Sequence, residues 1–357
     1  SFHSGLMMDD KLALSGTVVR KVGEGYSDGT WTDAYAYYFD AAYNLNDAHR
    51  LQFYVLGAPQ QHGQNRYRQN IAAYVAADSD FMKKLQNDGY GYSDDALAEN
   101  GGKYSEAGRE FNQNTAQISE ASQAILDAAG GQHWKMYTEQ NGVARHETDR
   151  LNERMNFFHK PQAALNHYWN IQDNMRLTNS AYWSGGMGGG SGHYGSVDRD
   201  PRVEGNSWWA SSPWVYNYDT TIAYNDTSST GSKGILRNSN NRQSTIGLLS
   251  KLAYDVNDNL SAEIGVDWRT AQIYHVKEIR DLLGGTYFVN TDSDFDEDGT
   301  QKVLGDAIDY NFTNTVDWLG LLGQVLGGAV VGVAIDAPRA VAGRPGLLDR
   351  AARVGRA

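Results

Sequence analysis

Three short stretches constrain this chain more than any other feature. Tyr43-Asn44-Leu45-Asn46-Asp47, Trp169-Asn170-Ile171-Gln172-Asp173-Asn174 and Tyr254-Asp255-Val256-Asn257-Asp258-Asn259 share one pattern. Each is an aromatic, an Asn or Asp, an aliphatic, an amide, then Asp. Asn and Asp bond their own main chain and tolerate left-handed backbone, so each copy predicts a tight turn. Each lies between two runs of alternating apolar and polar residues, which makes it a hairpin. Three copies separated by long polar excursions amount to a repeating antiparallel architecture.

The flanking runs give the strands. Leu12, Leu14, Gly16 and Val18 alternate with Ala13, Ser15, Thr17 and Val19. Tyr35, Tyr37, Phe39, Ala41, Tyr43 and Leu45 share one face of the next strand, because side chains alternate across a strand. Ile246, Leu248, Leu252 and Tyr254 do the same, followed by Leu260, Ala262, Ile264, Val266 and Trp268. A last strand sets Tyr310, Phe312, Val316 and Trp318 against Asn311, Thr313, Thr315 and Asp317. Short turns near 9, 46, 172 and 257 alternate with long loops near 26, 57–155, 184–241 and 274–307. About nine strands result. Within the loops, Gln69–Leu85 and Glu106–Ala129 are expected to be helical.

Apolar, aromatic-ended outer faces with short turns on one side and long loops on the other describe an antiparallel up-and-down transmembrane β-barrel fragment. A soluble antiparallel sandwich also alternates. Lys251, Glu263, Asp267 and Arg269 on the opposite face favour the membrane form, since a dry core would reject them. The composition agrees, with 22 Tyr, 9 Trp and 39 Gly against 6 Pro. A net charge of −12 without a basic stripe argues against nucleic acid. Zero Cys excludes disulfides and thiolate metal sites.

The segment Leu12–Gly63, the hairpins YNLNDAHRL (43–51) and YDVNDNLSAEIGVDWR (254–269) and the string NTVDWLG (314–320) resemble the barrel of TonB-dependent outer-membrane receptors. The resemblance implies a larger barrel closed by an N-terminal plug, residence in the outer membrane of a Gram-negative bacterium, and uptake of a siderophore, glycan or other bulky solute. It also implies outer-membrane lipid, an extracellular solute and the TonB energy-coupling complex as partners, the last through an N-terminal region. Measured against that family, the chain is expected to be a fragment lacking signal peptide, energy-coupling box and plug. Two other readings stay open: a soluble glycan-binding or glycan-cleaving β-protein, and a passive porin.

No catalytic constellation is legible. Gly190–Gly195 formally matches G-x-G-x-x-G, but Pro201 follows and no helix opens. His146-Glu147 lacks the second His of a zinc-protease helix. Asp294, Asp296 and Asp298 followed by Gly299 reproduce the opening of a calcium loop, although its twelfth position is Gly305 rather than Glu. Either Ca²⁺ or an acidic solvated tip fits. Trp208, Trp209, Trp214, Tyr216 and Tyr218 crowd one loop, either as a stacking platform for a ligand or as an aromatic mini-core.

Residues 1–325 are read as barrel and 326–357 as an atypical tail. No aromatic lies after Trp318 and no Asn after Asn314. Arg339, Arg344, Arg350, Arg353 and Arg356 face one acidic residue, Asp349, over the last twenty positions. A truncated or frame-shifted end is expected. Trp318–Ile335 is apolar enough to suggest a membrane helix, but its first third already completes a strand.

Overall fold

A computed structural model describes residues 1–67, 71–76, 78–91, 93, 94, 98, 108–130, 139, 140, 143, 144, 150–201 and 214–327. One antiparallel sheet dominates. Its strands are β1 (Phe2–Met7), β2 (Leu12–Gly23), β3 (Thr32–Asn44), β4 (His49–Gly57), β5 (Gln60–Gly63), β6 (Met155–His159), β7 (Gln162–Gln172), β8 (Met175–Gly195), β9 (Gly234–Asn257), β10 (Leu260–Asp281) and β11 (Ala307–Gly327). The order is β1-β2-β3-β4-β7-β8-β9-β10-β11, with β5 between β3 and β6, and β6 also against β8.

These eleven segments trace nine lines. Leu56 pairs with Gln162, and beyond the break Gln60 pairs with Phe158, in unchanged register. Tyr37↔Gly57 and Ala34↔Gln60 likewise keep one register against β3. The breaks fall at Pro59 and Pro161, which have no N–H to donate to a ladder. Both still accept, Pro59 from the Tyr35 amide and Pro161 from the Gly185 amide, each at 2.8 Å. The nine expected strands are therefore present, two of them interrupted by proline.

The turns close at one rim. Asn46 Oδ1 accepts the Ala48 and His49 amides at 3.0 Å, and Asn257 Oδ1 accepts the Asn259 amide at 2.9 Å. Neighbouring turns are laced together by Asn44 N to Lys11 O, Asn170 N to Ala48 O and Asp255 N to Asn174 O. The left-handed backbone falls instead at Met8, Asp9 and Asp10, in the first turn.

Directly opposed residues share a face, so register assigns the two faces. One carries Phe39, Phe53, Leu165, Trp183, Ile246, Leu248, Ile264, Val266, Trp268, Leu319 and Leu321, all exposed; Ile264 is 60% and Leu321 64% accessible. The other carries Asp40, Arg50, Gln52, Tyr168, Lys251, Glu263 and Arg269. In β11 the register corrects the face read from alternation. Trp268 opposes Leu319, while Trp318 opposes Arg269, whose guanidinium lies 5.1 Å from its ring. Tyr310, Phe312, Val316 and Trp318 are thus not the continuation of the apolar face.

Strands β8, β9 and β10 run well past the expected loop boundaries. Gly185–Gly195 pairs residue for residue with Ser244–Gly234. The glycines permit close approach: a Cβ on Gly189 would lie 2.4 Å from Ser239 O. The two helical expectations shrink in the same way. The first segment holds a 3₁₀ turn, Ile71–Tyr74, and helix α1, Asp80–Asn87, N-capped by Ser79. Among the described residues of the second, only α2, Glu120–Ala129, is helical, N-capped by Ser119. Before it, the side chain of buried Asn112 accepts the Asn114 amide and donates to Asp28 O, and the local bond competes with helix. A third helix, α3, spans Tyr218–Thr227.

Strand β11 continues two residues past the boundary expected at 325, with Leu326 on Ser261 and Gly327 on Leu260. Residues 328–357 lie outside the described residues. Trp318–Gly327 is strand, and no helix among the described residues is long and apolar enough to cross a membrane.

Candidate functional site: the polar face and the buried network under the loops

The polar face is a ladder of mutually satisfied side chains. Gln52 donates to Asp40 at 2.7 Å and accepts from Tyr168 OH at 3.1 Å. Lys251 and Glu263 pair at 2.5 Å across β9 and β10. Near the turns, Arg50, Tyr168, Arg176, Thr178, Lys251 and Glu263 line a cleft of about 880 Å³. Charged groups of both signs kept wet on one face suit a surface past which a polar solute moves or against which another polar body sits.

At the opposite rim the connections fold into a compact body. Ala116, Ile118, Leu126, Leu151, Tyr216, Tyr218, Ile222, Leu236 and Leu283 form its core. It joins segments scattered from 116 to 283, so the connections hold one another. Asn225 ties it further: its amide donates to the carbonyls of Gly234, Leu282 and Leu283, and its oxygen accepts the Lys233 amide.

Under this body lies a buried charged network centred on Glu153, whose side chain has no accessible surface. Oε1 accepts from Asn114 Nδ2 at 2.8 Å, Arg154 Nε at 3.2 Å and Tyr216 OH at 3.3 Å. Oε2 accepts the His193 amide at 3.0 Å and faces His193 Nδ1 at 3.1 Å. Tyr216 OH also shares a hydrogen bond of 2.8 Å with Tyr67 OH. Burial alone would raise the Glu153 carboxyl. The bond from His193, the Arg154 charge and the Asn114 amide outweigh it and hold the group at about 2. Burial, then the Glu153 charge, pushes the Tyr216 phenol up. A carboxylate saturated with donors and a phenol pushed up do not form an acid/base pair; the cluster locks 114, 153, β8 and 216 together.

The aromatic loop divides. Tyr216 and Tyr218 are 2% and 0% exposed and belong to the mini-core, so neither offers a ring face to a solute from outside. Trp214 pairs through its backbone with Pro201, while Trp208 and Trp209 lie outside the described residues. In the acidic loop, Asp296 bonds Lys302, and the Asp294 amide donates to Asp309 O at 2.7 Å. Asp294, Asp296 and Asp298 are exposed, and among the described residues no three carboxylate, His or Cys side chains converge as a metal site. Glu153, Arg154, His193, Arg237 and Arg280 carried no sequence signal. Apart from the neighbours Glu153 and Arg154 they are far apart in the chain, and each looks like an ordinary charge in a polar excursion.

No family model matches the chain, and no curated protein matches it. Among solved structures it is similar to the closed form of the ferric-catecholate import receptor Fiu from E. coli K12, with 11% identity and a TM-score of 0.40, over 94% of this chain and 43% of that one. A structure of the FpvAI–pyocin S2 complex gives 7% identity and 0.40, over 94% and 35%. The RagAB peptide importer gives 10% and 0.39, over 88% and 28%. The chain spans less than half the length of each of these three.

Proposed function

We propose that the chain is wall and outer-loop material of an outer-membrane uptake receptor of the TonB-dependent type, taking in a siderophore, a glycan or another bulky solute. The observation that carries this is the division of one continuous nine-line sheet into an apolar and a charged face. Exposed Ile, Leu, Val, Trp, Phe and Tyr along the long strands suit lipid, and water would not tolerate so large a patch. Trp169 and Tyr254 near the turns, and Tyr35, Trp183 and Trp268 at the other end, stand where interfacial rings sit. The compact loop body then faces outward, where a solute arrives. Energy coupling through TonB belongs to the same reading and would act through other parts of the receptor.

Fractionation tests it. Protein expressed in a Gram-negative host should enter the outer membrane, require detergent for extraction and migrate differently on gels before and after boiling. Aqueous, monodisperse protein free of detergent would instead establish the soluble glycan-handling reading. Solute uptake that survives deletion of TonB would replace the receptor by a passive porin.

A further inference from the structure

Beside Glu153, guanidinium groups exceed their partners among the described residues. Arg154 and Arg237 converge over Gly192, where a Cβ would lie 2.7 Å from Arg154 Nη1 and 3.0 Å from Arg237 Nη2. Arg237 Nη1 donates to Gly190 O at 3.2 Å and Ser239 Oγ at 2.9 Å, but its buried Nε has no partner among the described residues. Burial, then the nearby Arg154 charge, lowers the Arg237 pKa. Two like charges are being held together by the fold.

Arg280 is the sharper case. The register of β9 against β10 slips between Leu236↔Asp281 and Arg237↔Ile279, so Arg280 is the extra residue of a β-bulge. Bulges re-aim a side chain, here into the interior. Arg280 is 3% exposed, and its Nε and Nη1 have no hydrogen-bond partner among the described residues. Nη2 reaches only Met155 Sδ, at 3.8 Å, next in sequence to Arg154. Arg280 and Arg154 both act on the fully buried Tyr218 hydroxyl, which itself has no hydrogen-bond partner among the described residues. The described carboxylates nearby are engaged: Glu153 by five donors, Asp281 by the Leu283 amide at 2.7 Å, Asp309 by Lys277. An unpaired buried guanidinium is costly, and an oxyanion is the group whose geometry matches its planar fork.

We propose that Arg280, Arg237 and Arg154 form a buried oxyanion site, taking a phosphate or carboxylate group between the strand ends and the loop body. Arg280 supplies Nε and Nη1, Arg237 its free Nε, and the Tyr218 hydroxyl a further donor. Gly192, having no Cβ, lets the Arg154 and Arg237 guanidiniums close on its backbone together. The site stands on this geometry without the transport reading. Failure of uptake would leave it intact, and failure of anion binding would leave the membrane reading intact.

The test is calorimetric titration of the full-length protein in detergent with inorganic phosphate, and in a parallel arm with acetate. At least one should bind saturably, and the preferred arm tells a tetrahedral oxyanion from a carboxylate. Arg280→Met should weaken that binding by roughly tenfold or more, the size of one charge-assisted hydrogen bond, and Arg237→Gln should weaken it too. In anion-free buffer Arg280→Met should melt no lower than the parent, because it removes an uncompensated buried charge. Absence of binding in both arms would overturn the proposal, as would unchanged binding in Arg280→Met. A large drop in its anion-free melting temperature would do so as well, since it would mean that Arg280 already has a partner inside the protein.

Discussion

Replacing Glu153 by Gln removes one charge and one acceptor from the middle of the loop body. In the parent, Oε1 serves Asn114, Arg154 and Tyr216 and Oε2 serves His193 through both its amide and its ring. A Gln can keep one oxygen in place, most favourably towards Asn114 and Arg154. Its NH₂ then faces the His193 amide, donor against donor, and Arg154 loses its counter-charge. A carboxyl held at about 2 instead of 4.5 is stabilised as the anion by on the order of 3 kcal/mol. Breaking a buried pair costs roughly 3–5 kcal/mol, so two independent routes agree. Hydrogen exchange in detergent reads this locally, at the His193 amide and at the Glu153 amide that donates to Asn114 O. Their protection should fall roughly 100-fold or more in Glu153→Gln. The pH dependence follows with its sign. The folded value lies below the unfolded one, so the stabilisation is complete above about 4.5 and is lost as pH falls from there towards about 2. The parent should loosen over that window and the variant should not. Protection changed by less than about threefold in the variant would refute the view that Glu153 holds the loops.

Three further outcomes are expected. Ile264→Arg, on the apolar face, should cost about 2–4 kcal/mol and cut recovery from the outer membrane, whereas Ser261→Arg on the charged face should leave recovery unchanged; equal effects would deny that the faces differ. Asn225→Ala takes the side-chain donor from the Gly234 and Leu283 carbonyls and the acceptor from the Lys233 amide, while Leu282 O keeps Ser232 Oγ at 2.8 Å; it should raise loop proteolysis, with a local loss of roughly 2–3 kcal/mol, and unchanged cleavage rates would refute this. On the apolar face, Ser250, Asn179, His167 and His49 form one chain, with Ser250 Oγ to Asn179 Oδ1 at 2.7 Å and His167 Nε2 to His49 Nδ1 at 3.0 Å. Asn179→Leu removes its middle link and should lower the temperature at which the barrel unfolds on gels, while the paired change with Ser250→Ala should lower it less than the two single effects added.

The sequence by itself determined the period of this protein. Three aromatic-Asx-aliphatic-amide-Asp turns and the alternation around them were enough to place the hairpins at 43–51 and 254–269, because side-chain direction along a strand is a local property of the backbone. Alternation also identified Lys251, Glu263, Asp267 and Arg269 as one charged face. It could not set phase where both faces carry apolar groups. In β11, only the pairing of Trp268 with Leu319 decided which side Trp318 is on. Nor could it follow the strands beyond the apolar belt. Gly185–Gly195 reads as loop by propensity, and becomes strand because the ladder to Gly234–Ser244 satisfies its backbone. The Glu153 network and the bulged Arg280 were decided by tertiary structure alone. Burial turns an ordinary charge into a consequential one, and burial depends on residues that are distant in the chain.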